Sequence, residues 1–475
     1  MSEDLTRTGS RKALAEARRD LEGRRVAVAG LGRTGVSALR FLRAAGARVV
    51  LTDSREEPPG LAEVEWLPEA VSLGALDGGL LAGADLVVAS PGVPLADPAI
   101  QEAMAAGVAV IGDVELFGRY AAAPVVAITG SNGKSTVTTL LGAMFTAAGQ
   151  RAAVGGNLGT PALDLLGEEP PDVYVLEVSS FQAEGLDRFR PAVGVLLNLS
   201  PDHLDRYPDA AAYFAAKWLL FRNMGKGDTA VLPAGDPAVV AGSEAVPAGV
   251  GLSWFGEGRP EPGGAGIVER NGEPWLALGG PEDPIPVLPL ADWPLVGGPN
   301  RLNAVAAVAA GGAAGLGAES MAAAMRSFRG LAHRMEAVAE VDGVRYVNDS
   351  KGTNVGAVRA ALEGLEGPFI WIAGGINKGS DFTGLLPVLE ERCREAVLYG
   401  EAAEEIAAAV GGVTPVTRTG DLAEAVQRAA AVAAPGDTVV LSPGCTSFDQ
   451  YPDFAARGEH FRRVARDLEV ERVER

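Results

Sequence analysis

Short apolar runs alternate with longer Ala- and Leu-rich segments along most of the chain, and glycine turns separate the two. The runs are rich in β-branched residues and predict strands at residues 26–29, 49–52, 86–89, 125–129, 173–178, 193–197, 369–373 and 438–442. Because each run is continuously apolar, both faces of the sheets should be covered by helices. The pattern predicts an α/β protein built on parallel sheets.

Two changes of pattern divide the chain. One lies at residues 121–124, before a strand that leads into a second glycine-rich loop, and the other lies near residues 327–332. We therefore expect a 24-residue extension, either an exposed helix or a loose segment, followed by three domains at residues 25–122, 123–329 and 330–475.

The middle domain should carry loops and short strands in its second half. Residues 233–299 hold 12 of the 31 prolines, which excludes a long helix there. The weakly apolar run at residues 304–318 is Ala and Gly with few large side chains, so it predicts a tightly packed helix and not a membrane span.

Composition narrows the class of protein. Hydrophobic residues make up 47% and the net charge is -20, so the chain is neither disordered nor a protein that coats nucleic acid. Cys393 and Cys445 are the two cysteines, too few for a disulfide framework or a thiolate zinc site. With a charged N-terminal stretch that does not resemble a signal peptide, this predicts a cytoplasmic protein with no membrane partner.

The first glycine loop contains Gly30, Gly32 and Gly35 between a predicted strand and a helical run. Asp53 ends the next strand, 23 residues after Gly30. This spacing matches the dinucleotide fingerprint, in which backbone N–H groups approach a diphosphate at a helix N-terminus. It predicts an anion-binding turn without selecting the nucleotide, and a glycine turn with no ligand is the alternative.

The second glycine loop is TGSNGKST at residues 129–136, again between a strand and a helix. Backbone N–H groups and Lys134 would hold the phosphates of ATP, and Ser135 would ligate magnesium. The predicted ATP-binding residues here are Gly130, Ser131, Asn132, Gly133, Lys134, Ser135 and Thr136. Two phosphate-binding turns in successive domains point to an ATP-driven step on a substrate that itself carries a diphosphate.

Further motifs resemble the Mur ligase superfamily and, within it, the branch that adds D-glutamate. They are TGSNGKST, EVSSFQ, NLSPDHLDRYP, AAKWLLF, HRME, NDSKGTN, GGINKGSDF and SPGCTSFDQYPDFAARG, in family order. The resemblance implies an N-terminal Rossmann-like domain for the UDP moiety, a central P-loop ATPase domain and a C-terminal Rossmann-like domain for the amino acid. It also implies that ATP phosphorylates the carboxylate of UDP-N-acetylmuramoyl-L-alanine and that D-glutamate attacks the acyl phosphate.

The resemblance assigns three further residues of the middle segment to catalysis and magnesium binding. Glu177 also fits on chemical grounds, because strand ends in this fold converge on the nucleotide, and a solvated strand-end acid is its alternative. His203 would hold a second magnesium and the UDP-substrate. Lys217 would be carbamylated and become a metal-binding carboxylate, or else be an amphipathic-helix lysine whose ammonium reaches water.

For the nucleotide, the resemblance implies that Arg334 neutralises the transferred phosphoryl group and that Asp349 contacts the ribose. Asn300 and Asn303 would lie near the adenine, although each also fits a helix N-cap or first turn. Gly352 stands where the family usually has alanine.

For the substrates, the resemblance implies two more sets of residues. D-Glutamate would be held by Lys351, Thr353, Lys378, Ser447 and the backbone of Phe454. The UDP-substrate would be held by Gly32, Arg33, Thr34, Asp53, Ser90, Asn157 and His203. Arg33 often has an uncharged counterpart in this branch. Cys445 is expected to pack, and His460 is assigned no role.

Three alternatives accompany this hypothesis. One is another amide ligase of the superfamily, such as a folylpolyglutamate-type enzyme, which needs no uridine pocket. The second is a nicotinamide oxidoreductase built on the first glycine loop, and the third is a non-catalytic nucleotide-binding module. The favoured hypothesis is a monomeric cytoplasmic ligase that uses ATP and magnesium.

Overall fold

The computed structural model describes residues 11–64, 66, 68–167, 169–204, 206–295 and 297–473, and within them the chain forms three sheets. The eight predicted strands are all present, and their ends differ from the prediction by at most one residue. The α/β prediction is therefore confirmed.

The first sheet has five parallel strands in the order β3-β2-β1-β4-β5. They are β1 (Arg25–Ala29), β2 (Arg48–Asp53), β3 (Ala70–Leu73), β4 (Leu86–Ala89) and β5 (Val110–Gly112). The helices of this region are α1 (Arg11–Leu21), α2 (Arg33–Ala44), α3 (Gly78–Ala82), α4 (Pro98–Ala105) and α5 (Asp113–Gly118).

Helix α1 corrects the expectation for the N-terminal extension. Ala13, Ala17 and Leu21 recur every four residues, and all three are buried in the same core as Phe41 of α2. This segment is therefore a docked amphipathic helix, neither fully exposed nor loose. Residues 1–10 of the extension lie outside the described part of the chain.

The second sheet has nine strands in the order β14-β13-β12-β11-β10-β9-β6-β8-β7. They are β6 (Val125–Thr129), β7 (Ala152–Gly156), β8 (Val173–Glu177), β9 (Val193–Leu196), β10 (Thr229–Pro233), β11 (Gly251–Phe255), β12 (Gly264–Arg270), β13 (Glu273–Gly279) and β14 (Pro284–Pro289). Strands β13 and β14 are antiparallel additions, and the other neighbours are parallel. The proline-rich stretch thus forms short strands and turns, as predicted.

The helices that accompany the second sheet are α6 (Lys134–Ala147), α7 (Ser180–Glu184), α8 (Ala210–Trp218), α9 (Pro237–Gly242), α10 (Gly298–Ala313) and α11 (Ala318–Ser327). The packed helix predicted at 304–318 is confirmed up to Ala313, with residues 304–310 fully buried. It ends there because Gly315 turns with a φ of +84° before α11 begins. Among the described helices, none has the length and apolarity needed to cross a membrane.

The third sheet has six strands in the order β15-β16-β20-β17-β18-β19, parallel except for the β15–β16 hairpin. The strands are β15 (Glu336–Val341), β16 (Val344–Asn348), β17 (Phe369–Gly374), β18 (Cys393–Tyr399), β19 (Val416–Arg418) and β20 (Thr438–Leu441). The helices are α12 (Val355–Glu363), α13 (Leu386–Arg392), α14 (Ala403–Val410), α15 (Leu422–Val432) and α16 (Phe454–Val473).

Two compact units contain these sheets. The first unit holds the first two sheets and runs from the start of the described chain to Leu199, with Ala211–Asp292 and Val305–Ser327. The second holds the third sheet, with Ser200–Ala210, Trp293–Ala304 and Phe328 onwards. His203, Asn300 and Asn303 therefore belong to the second unit.

Candidate active site

The first glycine loop follows β1 and is shaped by close backbone packing. A Cβ on Gly35 would lie 2.0 Å from the Gly30 carbonyl oxygen, so only glycine allows α2 to approach the strand this closely. Ser90, after β4, donates a hydrogen bond from its hydroxyl to the same carbonyl at 2.7 Å. Four residues predicted to hold the UDP-substrate thus lie at one edge of the first sheet. They are Gly32, Ser90, and the exposed Arg33 and half-buried Thr34, which begin α2.

Asp53 is buried at the end of β2 and holds this loop in place. Its Oδ2 accepts hydrogen bonds from the Leu31 N–H at 2.6 Å and from Arg55 at 2.8 Å, and its Oδ1 accepts two more from Arg55. Burial acts to raise the pKa of Asp53, but these hydrogen bonds hold the pKa below its usual value. The structure thus gives Asp53 an anchoring role, while its predicted contact with the UDP-substrate stays a prediction.

The second glycine loop leaves β6, which lies between β8 and β9 where the chain order reverses across the sheet. Gly130 has a φ of +146°, and a Cβ there would lie 2.9 Å from the Leu197 Cβ. Gly133 precedes α6 with a φ of +83°. Lys134 donates from Nζ to the carbonyl oxygens of Gly130 and Ser131 at 2.8 and 2.9 Å.

Asn198, after β9, braces this loop and was given no role in the sequence analysis. Its carbonyl accepts from the Ser131 N–H at 3.1 Å, its Oδ1 accepts from the Asn132 N–H at 2.9 Å, and its Nδ2 donates to the Asn132 carbonyl at 3.1 Å. The available signal was its position just after the strand beside β6. Asn198 therefore fixes the loop that the predicted ATP-binding residues occupy.

Glu177 ends β8, beside Ile128 of β6, and is 3% exposed. The alternative of a solvated strand-end acid is therefore wrong. Its Oε1 accepts a hydrogen bond from Asn157 Nδ2 at 2.7 Å, and its Oε2 is buried with no hydrogen-bond partner in the described part of the chain. A buried carboxylate oxygen without a donor is costly, so the arrangement fits a bound cation.

Lys217 lies on α8 and its side chain is 1% exposed. The alternative in which its ammonium reaches water is therefore wrong. Nζ donates to the Gly130 carbonyl at 2.9 Å and lies 4.4 Å from the centre of the Tyr213 ring. The structure thus brings Lys217 to the second glycine loop.

These residues fit magnesium by the chemistry of their donors. Within the described residues, no group of three His, Cys, Asp or Glu side chains is placed to hold a metal ion. Magnesium, however, is usually held by one or two carboxylates together with water and nucleotide phosphates. Glu177 Oε2 and the hydroxyl of Ser135, in the first turn of α6, are donors of the required kind.

His203 has a φ of +55°, a left-handed conformation that favours glycine. Its backbone N–H donates to Asp202 Oδ1 at 2.8 Å. The other oxygen of Asp202 accepts from Asn354 Nδ2 at 2.9 Å, which ties this turn to the start of α12 within the second unit.

In the third sheet, Asp349 follows β16 and is 7% exposed. Burial raises the pKa of Asp349 to about 6. The hydrogen bonds from Ser442 Oγ and the Met335 N–H oppose this rise, and so does the positive charge of Arg334. The structure thus brings together the predicted nucleotide residues Asp349 and Arg334. His333, beside Arg334, is buried against α16, where a Cβ on Gly458 would lie 2.2 Å from its Nδ1.

The predicted amino-acid residues lie on three loops and one helix start. Lys351 Nζ is 3.9 Å from the centre of the Phe454 ring, and Thr353 is two residues further along the same loop. The loops that carry Lys378 and Ser447 are joined by a pair of hydrogen bonds between Ile376 and Thr446. Ser447 is buried and Lys378 is exposed.

Arg457 holds these loops together, although the sequence analysis assigned it nothing. It is fully buried on α16 and donates to Ser350 Oγ and the Ser350 carbonyl at 2.9 and 2.8 Å. It also donates to the carbonyls of Gly374 and Cys445 at 3.3 and 3.1 Å. One guanidinium therefore links the loop after β16, the end of β17 and the loop after β20.

The structure also places Cys445, His460 and the asparagine pair of α10. Burial raises the pKa of the Cys445 thiol to about 12, so it packs as predicted and is not a thiolate nucleophile at neutral pH. His460 hydrogen bonds to the Tyr451 hydroxyl at 2.7 Å. Asn300 lies in the first turn of α10, but Asn303 is the sixth residue, so the capping alternative is wrong for Asn303.

Comparison with known proteins agrees with this geometry. Three family models match: Mur ligase MurD-like, N-terminal domain, at residues 24–112; Mur ligase middle domain, at residues 128–311; and Mur ligase, glutamate ligase domain, at residues 333–445. The crystal structure of MurF ligase from Thermotoga maritima in complex with ADP has a TM-score of 0.61 and 17% identity, covering 99% of this chain and 100% of that one. At that identity the likeness shows the fold.

Sequence relatives extend over nearly the whole chain. UDP-N-acetylmuramoylalanine--D-glutamate ligase from Nitrosococcus oceani is 47% identical over 445 residues, which span 93% of this chain and 96% of that protein. The ligase of the same name from Methylococcus capsulatus is 47% identical over 450 residues, 94% of this chain and 95% of that protein. The resemblance seen in the motifs is confirmed, and the nicotinamide oxidoreductase alternative is wrong. With three matching domains and relatives of this identity and coverage, the chain belongs to the Mur ligase family.

Proposed function

We propose that this chain is an ATP-dependent ligase that joins D-glutamate to UDP-N-acetylmuramoyl-L-alanine during synthesis of the peptidoglycan precursor. The observation that carries the proposal is the name shared by relatives that are 47% identical and match at least 93% of this chain. The domains assigned to the UDP-substrate, ATP and the amino acid are residues 25–122, 123–329 and 330–475.

ATP would bind at the second glycine loop, where Lys134 and those N–H groups of residues 130–136 that do not donate to Asn198 would meet its phosphates. Asn300, Arg334 and Asp349 would complete the nucleotide site. Ser135, Glu177 and His203 would hold magnesium, which neutralises phosphate charge and orients the γ-phosphoryl group. The unpartnered Glu177 Oε2, buried one strand from the loop, supports this assignment.

The reaction would proceed in two steps. A carboxylate oxygen of the UDP-substrate attacks the γ-phosphorus of ATP and releases ADP, which gives an acyl phosphate. The amine of D-glutamate then attacks the acyl carbon, and the amide forms as phosphate leaves and a proton is lost. Lys134 and Arg334 would offset the charge that develops on the transferred phosphoryl group.

Lys217 would act as a carbamate. Carbon dioxide adds to a neutral amine, so the ammonium must first lose a proton, and burial of the side chain favours that loss. A carbamate keeps one N–H, which can still donate to the Gly130 carbonyl, while its two oxygens are suited to a magnesium ion. The contact with the Tyr213 ring opposes this step, because a ring face stabilises the cationic form.

The UDP-substrate would bind at the edge of the first sheet, and D-glutamate would bind at the loops of the third sheet. D-Glutamate would be held by Lys351, Thr353, Lys378, Ser447 and the backbone of Phe454. The UDP-substrate would be held by Gly32, Arg33, Thr34, Asp53, Ser90, Asn157 and His203. Lys351 and the Ser447 hydroxyl lie on loops that Arg457 links, and a cation with hydroxyl donors is suited to a dicarboxylate ligand. The enzyme would act as a monomer in the cytoplasm, where ATP and UDP-linked sugars are available.

Phosphate release tests the proposal directly. The protein is assayed with Mg-ATP and UDP-N-acetylmuramoyl-L-alanine, adding D-glutamate, L-glutamate, diaminopimelate or no amino acid. Turnover with D-glutamate alone is expected, and Lys134→Ala should abolish it. Turnover with another amino acid would overturn the assignments of Lys378 and Ser447, and no turnover with any of them would overturn the proposed function.

A further inference from the structure

A cavity in the first unit lies between the loop after β4 and the turn after β8. Its walls include Ser90, Pro91 and Leu95 on one side and Asp113 and Gln182 on the other. The space inside it is about that of one water molecule, so it admits a single small group of a larger molecule, such as a hydroxyl, and not a whole sugar ring.

Asp113 supplies the charged group of this cavity. It is 2% exposed, and its Oδ2 accepts a hydrogen bond from Gln182 Nε2 at 3.0 Å. Its Oδ1 is also buried and has no hydrogen-bond partner among the residues that the structure describes. Buried carboxylate oxygens almost always have a donor, so this oxygen indicates one that a ligand supplies.

Gln182 connects Asp113 to the phosphate site. Its Oε1 accepts from the Ser179 N–H at 3.1 Å, and Ser179 Oγ accepts from the Gln182 N–H at 3.2 Å, which forms a capping box at the start of α7. Ser179 is two residues after Glu177, so the same network that holds Asp113 also shapes the turn after the proposed magnesium ligand. The Gly112 N–H donates to the Gly185 carbonyl at 2.9 Å and fixes the two elements together.

The position of the cavity indicates which part of the substrate would lie beside it. Ser90 in its wall bonds to Gly30 of the first glycine loop, where the diphosphate is expected. The opposite wall includes Gln182, five residues after Glu177, and the reacting carboxylate would lie near the magnesium that Glu177 is proposed to hold. In the UDP-linked substrate the amino sugar lies between these two groups, and its hydroxyls and N-acetyl N–H are hydrogen-bond donors.

We infer that Asp113 is a substrate-binding residue whose Oδ1 accepts a hydrogen bond from the amino sugar of the UDP-linked substrate. The inference rests on the proposed function and adds a residue that the motifs did not identify. Asp113 thereby serves two partners at once, the sugar through Oδ1 and Gln182 through Oδ2.

Binding measured by calorimetry tests this assignment. UDP-N-acetylmuramoyl-L-alanine and UDP are titrated separately into the wild-type protein, Asp113→Asn and Ser37→Ala. Asp113→Asn keeps the shape of the side chain and an acceptor for Gln182 but presents an N–H to the sugar. It should weaken the full substrate by about 10- to 100-fold, the loss expected for one hydrogen bond to a charged group, and leave UDP binding unchanged.

Ser37→Ala is the matched control. It removes the part-buried hydrogen bond that Ser37 Oγ, itself buried, donates to Asp164 Oδ1 at 2.7 Å elsewhere in the first unit, and it should leave both titrations unchanged. Asp113→Glu is a second variant, because it keeps the charge but pushes the carboxylate into the cavity, and it should also weaken only the full substrate. Thermal unfolding and ADP binding check that each variant is folded.

The outcomes distinguish failure of the Asp113 inference from failure of the proposed function. Equal affinity of wild type and both Asp113 variants for the full substrate would overturn the inference. An equal loss for UDP would also overturn it, because the contact would then be with the nucleotide. If wild type itself does not bind the full substrate, the proposed function fails.

Discussion

Asn157 donates a hydrogen bond from Nδ2 to Oε1 of Glu177 at 2.7 Å and leaves the other carboxylate oxygen unpaired within the described chain. Asn157 follows β7 and Glu177 ends β8, two neighbouring parallel strands in which Gly156 pairs with Glu177. The amide thus fixes which oxygen of the carboxylate faces away from it. In metal sites, such an orienting partner commonly influences affinity as strongly as a weak ligand does.

Replacing Asn157 should therefore change the requirement for magnesium. Asn157→Ala is expected to raise the magnesium concentration for half-maximal phosphate release by about 10-fold or more, since Glu177 loses its orienting donor. Asn223→Ala, which removes a half-buried asparagine bonded to the Asp187 and Phe189 carbonyls, is the control and should leave the magnesium titration unchanged. If Asn157→Ala has a normal magnesium titration but binds the UDP-substrate more weakly, Asn157 contacts the substrate and does not orient Glu177 for magnesium.

The carbamate proposal makes a separate prediction. Lys217→Ala should abolish ligation, because the site loses the two oxygens that the carbamate would direct at magnesium. Small carboxylates such as acetate should partly restore turnover by entering the space left by the side chain. Phosphate release over a range of acetate concentrations provides the measurement.

A complementary observation uses the wild-type protein. Labelled bicarbonate should give a carbamate carbon signal in the NMR spectrum of wild type and not in that of Lys217→Ala. Robust activity of Lys217→Ala in the absence of acetate would contradict the role proposed for this lysine.

Arg457 is expected to be a major source of stability for the loops of the third sheet. Arg457→Ala would leave the oxygens of Ser350, Gly374 and Cys445 without their donor in a buried setting. The free energy of unfolding should fall by about 3 kcal/mol or more, because each buried acceptor that loses its donor costs about 1–3 kcal/mol. Urea unfolding measures this loss.

Arg457→Lys distinguishes charge from geometry. Lysine keeps the charge but cannot reproduce the planar fork that reaches three loops. We expect the KM for D-glutamate to rise while the KM for ATP changes little. A lysine variant with the kinetic constants of wild type would show that charge alone is required there.

The strands and the two glycine loops could be predicted because they depend on local pattern, such as continuous apolar runs and glycine spacing. Asn198 and Arg457 could not, because their roles arise from partners that are distant in the sequence. Arg457 bonds to Ser350, 107 positions away, and Asn198 to Asn132, 66 positions away. Local pattern also left the environment of Lys217 open, since an amphipathic helix places a lysine near water or inside depending on what packs against it.

Glu115 provides a pH-dependent prediction about the first unit. Its side chain is fully buried on α5, and Oε2 accepts hydrogen bonds from the N–H groups of Asp187, Arg188 and Phe189 at 2.9–3.0 Å. Arg119 bonds to the other oxygen at 2.9 Å. Burial acts to raise the pKa of Glu115, but these hydrogen bonds hold the pKa below its ordinary value.

The lowered pKa of Glu115 determines how stability should change with pH. Because the folded pKa lies below the unfolded value of 4.5, the unfolded chain binds the proton first. The stability that ionised Glu115 contributes is thus complete above pH 4.5 and is lost as the pH falls through the lower, folded pKa.

Glu115→Gln should reduce stability by roughly 2 kcal/mol at pH 7 and make the acid limb of the stability curve shallower. Urea unfolding between pH 3 and pH 7 measures both, with the exposed Glu169→Gln as a control that should match wild type. An unchanged acid limb in Glu115→Gln would contradict the assignment.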